Sequence, residues 1–541
     1  MSHDAAYDYV IVGAGSAGCV LANRLTEDPA VHVLLLEAGG SDARLDVRLP
    51  IAVSRLWMNQ MLGWGFQSEP EAQLAGRRIP VPRGKMLGGT SSINGMMAIR
   101  GHAADYDHWR ALGLKGWGFS EVLPYFRKLE RHWRGADAYH GGDGPVAIRP
   151  HPAPSALLAR SQAAARAMGF ALTDDFNGPC TTGFGMPDFT IDERGRRASA
   201  ASAYLHPARK RRNLTVALRA EARKVMIDKG RAIGVEYRQN GTLRTASAAR
   251  EVILCAGAIG SPHILLLSGI GPAEHLHDHG LRVHIDRPAV GDNLQDHPGA
   301  SIEFALDPAW AFDGQLRLDR LAKDLLRWAV TGKGPMAAPP VGISANVATV
   351  PNASLVDMHF LLVPLALDAR VWFPGLRKPR GPTLTAMWSL NYPRSRGSVR
   401  LNSPDPHVKP SIRYHLLEDS RDRDDMIRGY RVLRELLSQP PLAEILGPMQ
   451  RPIREPTTDD EVLEYVRGVA GTAFHPCGTC RMGADDDAVL DNELRVRGIA
   501  GLRVVDASVF PTLPGGNTNL PVIMVAEKAA DLIRQAPPPA H

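Results

Sequence analysis

The stretch Phe474–Gly483 reads FHPCGTCRMG and brings His475, Cys477 and Cys480 within six residues. Those residue types could bind a metal, cycle as a dithiol, or move a proton. A zinc site would need further cysteine or histidine ligands at suitable spacing, and only His475 is near. A redox C-x-x-C pair usually opens a helix in a different sequence setting. The cysteines therefore read as small buried fillers, and no metal site is expected. His475 stays as a candidate base, because an unperturbed imidazole titrates at about 6.5, close to working pH.

A second stretch, YDYVIVGAGSAGCVLANRL, could hold a phosphate. Tyr7 to Val12 reads as a buried strand. Gly13, Gly15 and Gly18 follow in G-x-G-x-x-G spacing, then a helix from Ser16 to Thr26 and a second strand, VHVLLLE, ending at Glu37. Gly13 permits the tight turn, Gly15 admits a pyrophosphate to the backbone, and Gly18 lets the helix pack on the strand. The helix N-terminus offers unpaired N–H groups and a positive dipole end. Glu37, 19 residues after Gly18, can accept hydrogen bonds from ribose hydroxyls and disfavours a 2′-phosphate. The unit predicts an adenine dinucleotide and leaves FAD and NAD both open.

The elements that must position these groups come from distant parts of the chain. REVILCAGAIGSPHILLLSGIG predicts a strand from Glu251 to Cys255, a glycine turn and a helix carrying Ile264–Leu267, so a strand here could rejoin the first sheet. Near the end, a strand from Leu502 to Val505 precedes Asp506, and Pro521 suits the first position of a last helix. Stretches such as HFLLVPL and SVRLNS alternate, which predicts an antiparallel sheet with flanking helices. Trp372, Phe373 and Trp388 could line an apolar pocket or equally fill a core.

Composition narrows the class. With 541 residues, 44% hydrophobic and 22% charged, the chain can bury large cores without staples. Five cysteines argue against a disulfide framework. No apolar run reaches membrane-spanning length, and MSHDAAYDYVIVGAG lacks the pattern of a secretory signal. The expected location is the cytoplasm, with a peripheral contact at the inner membrane face left open by the net charge of +6. The densest basic run, ARKRRN at 208–213, reads as a solvated turn, so no nucleic-acid partner is expected. The tail APPPAH is expected to fray. Oligomeric state has no sequence signal.

Taken together the chain resembles the glucose–methanol–choline oxidoreductase family of flavoproteins. The resemblance rests on the N-terminal fingerprint, GKMLGGTSSING (84–95), GAIGSPHILLLSGIG (257–271), VGDNLQDH (290–297), HPCGTCRMG (475–483) and NTNLP (517–521). INGMMAIRG and GGNTNLPVIMVAEKAAD look most like choline-dehydrogenase-like and bacterial alcohol-dehydrogenase-like members. It implies an α/β fold: a discontinuous Rossmann-like FAD-binding domain (1–150, 196–299, 461–541) plus an α+β substrate domain with an antiparallel sheet (151–195, 300–460). It also implies FAD-dependent oxidation of an alcohol, with hydride passing to flavin N5.

The family's roles carry over residue by residue. His475 becomes the proton acceptor and Asn517 its partner on the loop before the last helix, with Asn519 a rival. Cofactor contacts carry onto Gly13, Gly15, Ser16, Ala17, Gly18, Glu37, Ala38, Arg83, Gly88, Asn94, Gly95, Met96, Val225, Asp506, Ala507 and Thr518. The last helix would turn its N-terminus, Thr518 to Val522, toward the flavin's N1/C2=O edge. Ile93 stands where some relatives attach flavin through histidine, so FAD is expected to be non-covalent. His297 is expected to be structural, near the domain junction. The partners are a small alcohol and an electron acceptor, a quinone or other carrier, with oxygen as the alternative. An FAD-containing hydroxynitrile-type lyase is the alternative from another class.

Overall fold

Tyr7–Val12 is short, β-branched and apolar, and its last four residues are buried. In this computed structural model, which describes residues 7–152, 156–350 and 355–536, it is the centre of a parallel sheet. The order is Leu214–Leu218, Val33–Glu37, Tyr7–Val12, the end of Thr242–Leu254, and Leu502–Val504. Three separate parts of the chain thus build one Rossmann-like sheet. Residues 1–6 and the tail 537–541, where fraying is expected, lie outside the described residues.

Thr242–Leu254 is longer than the predicted strand because its first half serves another purpose. That half is polar and largely exposed, and it pairs antiparallel with Arg231–Gln239, which pairs in turn with Ala220–Asp228. Only the second half is apolar enough to be buried between Tyr7–Val12 and Leu502–Val504.

The last helix, Asn519–Gln535, packs against the first, Ser16–Leu25. It starts two residues before Pro521, which still lies in the first turn, where a missing N–H breaks no intrahelical bond. Glu527 on this helix is fully buried and accepts from Arg24 Nε (2.9 Å), Arg24 Nη2 (2.7 Å) and Tyr204 Oη (2.8 Å). A buried carboxylate needs such partners, and these fasten the two ends of the chain together.

A second sheet is antiparallel, in the order Leu446–Arg451, Pro298–Leu306, Thr383–Leu390, Met358–Val363, Ile343–Val347, Gly183–Gly185, with Gly471–Thr472 also on Pro298–Leu306. The two-residue period of these strands separates two faces. Ile302, Phe304, Leu384, Ala386, Phe360, Leu362, Ile343 and Ala345 form a core with the helices Leu157–Ala167, Ser420–Ser438 and Asp459–Val469. Ser301, Met387, Ser389, His359, Leu361 and Asn346 line a cavity instead. HFLLVPL supplies one of these strands, but SVRLNS does not: Ser398–Arg400 pairs only with Ser411–Arg413, in a separate two-stranded sheet.

Candidate active site

The cavity, about 700 Å³, is walled by the glycine turns of the parallel sheet and by that polar face of the antiparallel sheet. Gly13, Gly15, Ser16, Ala17, Glu37, Ala38, Arg83, Asn94, Gly95, Met96, Asp506, Ala507, Thr518, His475 and Asn517 all line it. Gly18, Gly88 and Val225 do not. A Cβ on Gly18 would stand 1.9 Å from the Gly13 carbonyl oxygen, so this glycine seats helix on turn, as its spacing predicts. Gly88 donates its N–H to Ala14 O at 2.7 Å. Val225 is buried and donates its N–H to Ser268 Oγ at 2.8 Å, while Ala220, Glu221 and Ala222 of the same strand meet the cavity. The cavity meets the start of that strand, three consecutive residues, and no motif marks which part reaches it.

The nucleotide end fits an adenine dinucleotide. Gly13 has φ +102°, and a Cβ there would come 2.5 Å from Cys255 O. Ser16 and Ala17 open a helix, so their N–H groups have no intrahelical acceptor. Asp506 Oδ2 accepts from Gly257 N (2.8 Å) and Ser261 Oγ (2.6 Å), joining the second glycine turn to the C-terminal strand. His263 lines the cavity with a buried Nε2 that has no partner. Glu37 is more constrained than its spacing suggests: its oxygens accept from Ala14 N (2.9 Å) and Gly39 N (2.7 Å), and burial pushes its carboxyl up to about 7. At the Ile93 position there is no nucleophilic atom; the side chain packs with Val47, Leu56 and Met86.

At the other end stands His475. Its Nε2 lies 3.1 Å from Asn517 Nδ2 and its Nδ1 lies 2.9 Å from His297 Nδ1. His297 Nε2 in turn lies 3.1 Å from Pro514 O. A carbonyl only accepts, so His297 carries its proton on Nε2 and keeps a bare Nδ1. That atom accepts from His475 Nδ1–H, which leaves His475 Nε2 unprotonated, an acceptor for the Asn517 Nδ2 amide. The chain of two rings thereby selects the tautomer a base needs. His297, expected to be structural near the domain junction, is in contact with His475.

The backbone brings the two motifs together. Gln295 and Cys477 exchange N–H···O bonds at 3.0 and 2.9 Å, and Asp296 Oδ1 accepts from both His297 N (2.9 Å) and His475 N (2.8 Å). Cys477 and Cys480 are fully buried in the main core, small side chains beneath this junction. The loop carrying Asn517 is held by His297 at Pro514 and by Asp105, which accepts from Gly515 N at 2.8 Å. Asn519, the rival of Asn517, instead has its Oδ1 occupied by Ser16 Oγ at 2.8 Å.

Burial pushes His475 well below the ordinary histidine value, and His297, Arg83 and His359 push the same way. Burial takes His297 down to about 3 and His359 to about 4. The His475 ring is therefore held neutral below pH 6.5, not poised at that value. Trp388 lines the cavity and also packs in the core, with its Nε1 donating to Met426 O at 3.1 Å. Trp372 and Phe373 lie outside the lining. In ARKRRN, Arg209, Lys210 and Arg212 are exposed or partly so, while Arg211 reaches Thr26 Oγ1 at 2.9 Å.

This fold and site define an FAD-dependent oxidoreductase acting on a CH–OH donor. The GMC oxidoreductase family pattern matches residues 7–299 and 393–526, and the chain belongs to that family. It is 42% identical over 543 residues to the oxygen-dependent choline dehydrogenase of Photobacterium profundum, covering 97% of this chain and 93% of that one. Among solved structures it is similar to pyridoxine 4-oxidase from Mesorbium loti, with TM-score 0.86, 31% identity, and coverage of 97% of this chain and 98% of the other. It is also similar to a variant of formate oxidase from Aspergillus oryzae RIB40, with TM-score 0.90, 27% identity, and coverage of 98% and 99%. No helix among the described residues is long and apolar enough to cross a membrane.

Proposed function

We propose that this enzyme oxidises its alcohol with His475 Nε2 as the acceptor of the hydroxyl proton and Asn517 as the donor that steadies the substrate oxygen. The observation that carries this reading is the pair of contacts on His475: its Nδ1 lies 2.9 Å from His297 Nδ1, and its Nε2 lies 3.1 Å from Asn517 Nδ2. A hydroxyl set between Nε2 and Asn517 Nδ2 would donate to the first and accept from the second. As the oxygen gains negative charge, the bond from Asn517 strengthens, which lowers the barrier. Arg83, whose Nη2 donates to Phe474 O at 2.6 Å beside this site, adds positive potential for the same oxygen. FAD, when bound, supplies the hydride acceptor. Gly13, Gly15, Ser16, Asp506 and the N-terminus of the last helix would hold it, and Ile93 leaves it non-covalent.

The chain divides its work in this proposal. Residues 1–150, 196–299 and 461–541 hold the cofactor, and 151–195 and 300–460 shape the substrate pocket. Asp459–Val469 and Gly471–Thr472, which pack on the antiparallel sheet, side with the pocket. The electrons pass to a quinone or another carrier. Oxygen is the second reading, favoured by relatives whose names are oxygen-dependent dehydrogenase and oxidase. Those names are of oxidoreductases, so the lyase reading is not favoured.

His475→Ala tests the base. It should keep bound, yellow FAD but slow anaerobic flavin reduction by at least about 10². Near-normal bleaching would remove His475 from the role. Mixing the reduced enzyme with air separates the two acceptors: fast reoxidation with peroxide release supports oxygen and overturns the carrier.

A further inference from the structure

Four paired strands set a row of side chains across the cavity wall. Gly299 pairs with Ser389, Ser389 with His359, and His359 with Asn346. All four line the cavity. The row begins two residues after His297, and His359 is near enough to depress both His297 and His475. It ends on Asn346, whose residue is 1% exposed and whose Oδ1 and Nδ2 both lack a partner. His359 is already engaged, with Nε2 2.8 Å from Ser344 Oγ. A buried amide left unpaired is costly, and folded proteins keep few of them. An idle donor and an idle acceptor on a cavity wall describe a ligand with the complementary pair.

The charges around the row narrow that ligand further. The carboxylates lining the cavity are Glu37, Glu221 and Asp506. Glu37 is held by Ala14 N and Gly39 N, Glu221 by Lys85 Nζ at 2.9 Å, and Asp506 by Ser261 Oγ and Gly257 N. None of them belongs to the row or contacts His475, whereas the Arg83 charge bears on His475. An ammonium brought here would lose its water and meet the Arg83 cation, while each carboxylate lining the cavity is already engaged, a costly burial.

We propose that the substrate is an uncharged alcohol bearing a second group that both donates and accepts a hydrogen bond, and that Asn346 reads this group. The proposal rests on the reading that the reacting hydroxyl sits at His475. Three strand spacings, roughly 14 Å, separate the backbones at the two ends of the row, and the side chains reaching inward shorten the gap, so the second group lies on the order of 10 Å from the reacting oxygen. A hydroxyl or a primary carboxamide has the required pair of functions. Quaternary ammonium alcohols are disfavoured, which separates this pocket from the substrate in the name of the choline dehydrogenase relatives.

The test uses FAD-loaded enzyme under anaerobic conditions, with flavin bleaching by 1,6-hexanediol, 6-hydroxyhexanamide, 1-hexanol and choline. The diol or the hydroxyamide should exceed both 1-hexanol and choline at least tenfold in kcat/KM, and comparing these two tells hydroxyl from amide. Asn346→Leu should cut the preferred substrate at least tenfold, leave 1-hexanol level or faster, and keep or raise Tm, since an idle amide is replaced by apolar packing. Asn346→Asp, which adds a charge at the same size, should shift preference toward choline. Choline preferred by the native enzyme, or equal losses on diol and hexanol in Asn346→Leu, would overturn the proposal. If His475 is not the base, bleaching can fail while hexanamide still perturbs the flavin spectrum and Asn346→Leu abolishes that perturbation; no perturbation at all overturns the Asn346 assignment itself.

Discussion

Among the histidines whose rings touch, two pairs have surroundings that give them opposite characters. His297 and His475 meet edge-on with ring centroids 5.1 Å apart. His132 and His140 stack at 3.9 Å. The ring nitrogens of the first pair meet each other, the Asn517 amide and the Pro514 carbonyl, none of them a carboxylate. The second pair sits among acids: His140 Nδ1 is 3.2 Å from Glu130 Oε2, His140 Nε2 is 2.9 Å from Asp175 Oδ2, and His132 Nε2 is 3.0 Å from Asp188 Oδ2. Burial lowers both His475 and His140, but at His140 the bonds to Asp175 and Glu130 outweigh it and lift the ring to about 9. Burial alone therefore does not decide the charge; the carboxylates do, and His475 is held neutral while His140 is held charged.

The sharpest way to break the contrast is to remove the acceptor behind His475. In His297→Leu, Nδ1–H has no partner, and the ring can move its proton to Nε2, the wrong atom. Flavin reduction by the alcohol should fall by roughly 10²–10⁴, the scale seen when a catalytic histidine is held in the wrong tautomer. His297→Gln, whose Oε1 can accept from Nδ1–H, should recover part of the loss. His297→Leu combined with His475→Ala should be no slower than His475→Ala alone, because both act on one proton. Independent, multiplying losses would reduce His297 to a packing role.

A smaller effect is expected from Asn517. Asn517→Ala removes one donor to the substrate oxygen and leaves the His475 tautomer intact, so flavin reduction should fall about 10–10² with bound FAD retained. Asn519→Ala should chiefly weaken the link to Ser16. A larger kinetic loss in Asn519→Ala than in Asn517→Ala would reverse the two assignments.

Sequence alone carried the local parts of this picture. The first strand, its glycines and helix lie within one short stretch, and each glycine's task follows from that order. The antiparallel sheet was legible as alternation, but which alternate residues meet the cavity was not. Val225 turns away while Ala220–Ala222 face in, and Asn346 sits in no motif. Both facts depend on where a strand lies against the cavity, which no motif states. The His297–His475 contact was hidden for a related reason: it is made by the backbone exchange between Gln295 and Cys477 and by the shared Asp296, far apart in the chain. The same distance hid the lowered value of His475, since spacing says nothing of burial.

The least kinetic effect is expected at the second pair, where the contrast can be read in stability instead. His140 is raised from its ordinary value to about 9, so the folded state binds its proton more tightly than the unfolded chain does. That stabilisation is complete below about pH 6.5 and is lost as pH climbs through about 9. Because the side chain is only 1% exposed, the contribution is on the order of 3 kcal/mol. Asp175, lowered to about 2, adds a second loss in acid, as pH falls from its ordinary value toward 2. His140→Gln should therefore lower Tm near pH 6, with the gap to the native enzyme closing above pH 9, while kcat/KM for the alcohol stays unchanged. A Tm gap of the same size at pH 6 and pH 10 would mean that His140 works by packing, and the two pairs would then differ only in what stands beside the cavity.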